Sequence, residues 1–202
     1  MKTKIGFLIL GLGMIMTLSC TKYPPSSERL LEDLAVITQY DTSVDFNQYK
    51  TYAIPNFVVK ITAKDTTNDT GTASLAVIAQ IKKNMADRGF TEVAATANPD
   101  FGLQVIYYQN TTIYAYYGGY YGYNWWGYYY PYYPVYYSSY TTGLCSMELI
   151  DLKVLPPNPN QRYLRWNGYI RGLMTGNHTL DEIKRSIDQA YIQTPQLKTT
   201  AN

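Results

Sequence analysis

The 202 residues carry 17 lysines and arginines against 15 aspartates and glutamates, a formal net charge of +2. Residues 1–19 hold two of the lysines and no acid, so the remaining 183 are neutral and offer no basic field for nucleic acid. With one histidine, two cysteines and neither CxxC nor HExxH, an ordinary zinc site is unsupported, and no cofactor is expected.

The chain opens MKTKIGFLILGLGMIMTLSC. Lys2 and Lys4 precede an apolar run from Ile5 to Leu18, the length of a signal h-region and short for a spanning helix. Ser19-Cys20 then resembles a bacterial lipoprotein processing site. It would give cleavage after residue 19, a lipidated Cys20 and anchorage to membrane lipid. Residues 20–33 read as a polar tether. Thr21 follows the cysteine where an inner-membrane retention aspartate would stand. An outer-membrane, periplasm-facing protein is therefore expected. Cys145 is then left without an intramolecular disulfide partner, and its strand-like setting predicts a buried structural thiol.

A single domain is expected over 34–195, with a tail at 196–202. LAVITQY (34–40), YKTYAI (49–54) and NFVVKIT (56–62) read as strands, and KDTTNDTG (64–71) as a polar loop. Residues 73–88 place Leu75, Ile78, Ile81 and Met85 at helical spacing. Thr72 or Ser74 is the expected cap, and Gly89 takes the left-handed position. A short extended piece starts at Phe90, a turn at Asn98-Pro99-Asp100, and a strand runs over 101–107. SMELIDLKV (146–154) and YLRWNGYIRG (163–172) predict a hairpin across PPNPN (156–160). Thr179–Tyr191 is helical, and Thr179 with Glu182 fits a capping box. Strands, helix, strands, helix predict an α/β (α+β) two-layer sandwich. Its sheet is mixed and mostly antiparallel, with two helices on one face.

Several of these segments together resemble the DUF4136 family of bacterial, Bacteroidetes-like envelope lipoproteins. Asp41, Asp45-Phe46 and Tyr49-Lys50-Thr51-Tyr52 match its opening signature. Met85–Phe90, the strand around Phe101–Tyr108, MELIDL (147–152), LRWNGYIRG (164–172) and a terminal helix follow in order. The resemblance implies the fold and an envelope location. The family's function is unknown, so it implies no reaction. This chain departs from the pattern in PPNPN and in an unusually long tyrosine tract.

That tract, an excursion over about 112–140, holds at least twelve of the 23 tyrosines, and no charge lies between Asp100 and Glu148. Tyrosine joins a flat apolar face to a hydroxyl, suiting a protein or glycan surface at low entropic cost. Candidate binding residues are Tyr116, Tyr117, Tyr120, Tyr121, Tyr123, Trp125, Trp126 and Tyr128. The expected partners are an envelope protein or peptidoglycan-like glycan. A membrane-facing patch and a space-filling loop are the alternatives, the former because such rings suit the headgroup level. A second candidate is a groove uniting Asp41, Asp45 and Trp166, where paired acids could act on a ligand. The same aspartates also suit turn caps, and Trp166 suits packing under a helix. No catalytic or metal-binding residue is assigned: GxSxG and phosphate-loop motifs are missing, and His178 reads as a solvent-facing loop residue.

Overall fold

The computed structural model describes residues 34–62, 64–109, 143–157, 162–173 and 178–200. Cys20, the tether and the tyrosine tract lie outside them, as does most of PPNPN. The described residues fall within one compact unit, Asp33–Asn202.

Among them are eight strands: β1 (Val36–Tyr40), β2 (Thr51–Ala53), β3 (Val58–Ile61), β4 (Thr66–Asp69), β5 (Thr91–Glu92), β6 (Phe101–Tyr108), β7 (Leu144–Asp151) and β8 (Leu164–Arg171). Two helices join them, α1 (Thr72–Asp87) and α2 (Leu180–Ile192). The strands form one open mixed sheet in the order β1-β8-β7-β6-β2-β5, with β3 also on β6 and β4 on β3. The centre is antiparallel, and β7 pairs with β6 and β8 over nearly its full length. Strands β2 and β3 both run parallel to β6, through Tyr52↔Phe101 and Val59↔Ile106. They flank β6 like one interrupted strand. Pro55 falls in the interruption, where a residue without an N–H is tolerated.

Side chains alternate across this sheet. One face presents Phe101, Leu103 and Val105 of β6, Met147 and Leu149 of β7, and Trp166 and Ile170 of β8. Val77, Ile78, Ile81 and Met85 of α1 and Ile183, Ile187 and Tyr191 of α2 close over it in one core. This is the expected two-layer α+β arrangement. Gly168 makes room for the indole: a Cβ there would lie 2.7 Å from Met147 Cε and 3.0 Å from the Trp166 ring. The Trp166 ring packs 5.2 Å from Tyr191, and its Nε1–H donates to Thr194 Oγ1 at 3.0 Å.

Four local expectations are corrected. KDTTNDTG is not a loop throughout, because Thr66–Asp69 pairs antiparallel with β3. Its polarity reflects an exposed edge, and Thr62 closes the turn by donating from Oγ1 and from its N–H to Asp65 O. The α1 N-cap is Gly71, with no side-chain cap from Thr72 or Ser74. Asp69 instead accepts from Gly71 N–H and Ser74 Oγ. YKTYAI is paired as a strand only over β2, and Phe46–Gln48 before it forms a 3-10 turn. His178 is half-buried rather than open to solvent. Gly89 does take a positive φ, 87°, and the Thr179–Glu182 capping box is formed in both directions.

Candidate functional site

The opening signature meets the ends of β7 and β8 in a charged corner. At Leu149/Ile150 the β7–β8 register slips, because Leu149 faces Trp166 while Ile150 faces Leu164. Arg165 is the extra residue of this bulge, and a bulge re-aims its side chain. Its Nε donates to Asp151 Oδ2 at 2.9 Å, and its Nη1 donates to Asp41 Oδ2 at 2.6 Å. Its guanidinium also lies 4.3 Å over the Tyr163 ring. Asp151 is fully buried. It accepts the Tyr49 hydroxyl at 2.8 Å on Oδ2 and the N–H groups of Lys153 and Val154 on Oδ1. A buried carboxylate persists in this way, paired with a cation and saturated with donors.

Asp41 is partly open to solvent. Burial pushes its carboxyl up, but the Ser43 N–H and hydroxyl together with Arg165 outweigh this, leaving its pKa below the ordinary value. Burial likewise pulls Arg165 down, and its bonds to Asp151 and Asp41 more than reverse that. Tyr49 is raised by burial and by the Asp151 carboxylate, so it stays a hydroxyl donor. Its ring stacks on Phe101 at 4.2 Å. Nearby, Asp100 accepts the N–H groups of Lys50 and Thr51, at 2.7 and 3.1 Å, fixing the entry into β2.

A groove of about 570 Å³ opens beside this corner, lined by residues 38–42 and 164–167. Asp41 and Trp166 both line it, and Asp45 is not among its lining residues. Asp45 caps the 3-10 turn by accepting from Asn47 N–H. Trp166 is 1% exposed, its indole directed to Thr194 and Tyr191, so the ring is no platform for a ligand. Sequence reasoning brought Asp41 and Trp166 together and missed Arg165–Asp151–Tyr49 as a connected unit. The available signal was a charge at the close of MELID and another between Leu164 and Trp166, each beside apolar strand residues.

Cys145 is buried and its thiol is pushed up to about 12 by burial, unsuited to nucleophilic work. Among the described residues, no group of three or more His, Cys, Asp or Glu could hold a metal, and no helix is long and apolar enough to cross a membrane.

An open mixed sheet with two helices on one face, its opening signature tied by an Asp–Arg–Asp corner, defines a small α+β domain. The chain belongs to the DUF4136 family, a domain of unknown function, whose model matches residues 36–195. It is similar to a crystallised DUF4136 protein of Bacteroides thetaiotaomicron. That likeness has 25% identity and a TM-score of 0.67 over 83% of this chain and 99% of that one. Weaker likenesses are to a PelC dodecamer from Paraburkholderia phytofirmans and a PDZ domain protein from Parabacteroides distasonis. The first has 12% identity and a TM-score of 0.42 over 83% of this chain and 99% of that one. The second has 18% and 0.44 over 84% and 38%. No curated protein matches.

Proposed function

We propose that this is a non-catalytic lipoprotein of the cell envelope, anchored through an acylated Cys20 in the outer membrane and facing the periplasm. It binds an envelope protein or a glycan through the aromatic segment 114–137. The observation that carries this reading is compositional: tyrosines, Trp125 and Trp126 are concentrated without any charge between two adjacent strands of a firmly built sheet. Support also comes from the charged corner. Its groups are engaged with one another, as expected of a structural tie rather than of acids waiting for a substrate.

The test is capture from detergent-solubilised envelopes, using the lipidated protein beside a folded variant lacking residues 114–137. A specific protein or peptidoglycan fragment held by the first and lost from the second supports the reading. Identical partners for both would overturn it and turn attention to the groove at Asp41.

A further inference from the structure

The groove beside the charged corner lies along two neighbouring strands, β1 and β8. Its volume of about 570 Å³ is that of a small-molecule cleft. The β1–β8 register sets Gln39 beside Asn167 and Tyr40 beside Trp166, and Asp41 and Arg165 line the groove with them.

Two of these residues keep hydrogen-bonding capacity that the fold does not use. Asn167 donates from Nδ2 to the Tyr169 hydroxyl at 2.9 Å, while its Oδ1 has no partner among the described residues. Arg165 spends Nε on Asp151 and Nη1 on Asp41, which leaves the two N–H groups of Nη2. An unpaired amide oxygen away from solvent is unfavourable unless water or a ligand reaches it. Two further lining groups are open: the Gln39 amide, and Tyr40 at 40% exposure.

Charge narrows the ligand. The Arg165 guanidinium stands between two carboxylates, Asp41 and Asp151, and the nearby Lys153 is itself set against Asp100 at 3.5 Å. Negative charge is in excess, so an anion is not attracted. A sugar hydroxyl both donates and accepts, and so serves the Asn167 oxygen and the Arg165 N–H groups alike. The apolar face of its ring suits tyrosine.

We propose that this groove binds a short neutral saccharide, held by Asn167, Arg165 and Gln39 and stacked on Tyr40. The site is built on β1 and β8 and does not depend on the aromatic segment.

The full chain, in a detergent without sugar headgroups, is mixed in turn with cellobiose, maltose and N,N′-diacetylchitobiose. Saturation-transfer NMR observed on the sugar reads binding. At least one of these probes should show saturable transfer. Gln39→Ala and Tyr40→Ala, at exposed positions, should each weaken it roughly tenfold with the denaturation midpoint unchanged, the size of one lost hydrogen bond or ring contact. A folded variant lacking residues 114–137 should keep it. Absence of transfer from every probe would overturn the proposal, leaving the Asn167 oxygen to water. Transfer indifferent to both substitutions, or lost with residues 114–137, would overturn it as well. Failure of partner capture with this transfer retained would refute the aromatic reading alone.

Discussion

The two faces of the central strands solve burial in different ways. On the helix-covered face, β6–β8 contribute Leu103, Val105, Met147, Leu149 and Trp166, closed by α1 and α2. On the other, the same strands contribute Gln104, Ser146, Glu148 and Asn167, equally dry. Antiparallel sheets commonly leave one face wet, and here neither face of β6 and β7 is exposed. Amphipathic alternation therefore marks the side that receives helices, while a polar residue in the alternate position does not by itself mark solvent.

The largest effects should sharpen that contrast. Trp166→Ala empties the helix-covered core and is expected to cost about 3–5 kcal/mol in chemical denaturation. Arg165→Met leaves the buried Asp151 without its cation, also costing about 3–5 kcal/mol. Asp41→Asn, at the open side of the corner, should cost much less. On the second face, Ile106→Ala should cost about 2–5 kcal/mol, as an apolar core position does. A cost near zero would mean that this face relaxes as a wet surface and would break the comparison.

The smallest effect is the response to acid. Asp41 and Asp100 have folded pKa values below their unfolded ones: burial raises each, but Ser43 with Arg165, or the Lys50 and Thr51 N–H groups with Lys153, lower it by more. The unfolded chain then binds more protons. The stability they contribute is full above the ordinary aspartate range and is lost as pH falls through the depressed values. Denaturation midpoints should decline on that limb, and Arg165→Met should flatten it.

Much of the frame was legible from local pattern. The α2 capping box, the positive φ at Gly89 and the β7–β8 hairpin each rest on a few neighbouring residues with one physical reason. Strand β4 was not legible, because four polar residues on an edge, three of them exposed, carry no alternation. The α1 cap was misplaced because Asp69 reaches forward from β4. At the site, the turn-capping roles of Asp41 and Asp45 lie within two residues of their partners and could be read. The Asp41–Arg165 pair spans 124 residues and depends on a register slip between strands, which no local periodicity encodes.

The place of β1 also sets an order of folding. Its partner is β8, through Val36↔Ile170, about 130 residues later in the chain, and among the described residues it has no other neighbour in the sheet. Closing so long a loop is slow relative to local hairpins. The β7–β8 hairpin can form early from near neighbours, and β1 is expected to dock late. Until β8 emerges, the signature at Asp41 has no Arg165 to meet. A chain made from its N-terminus thus keeps β1 waiting for its β8 partner until Leu164–Arg171 has been made.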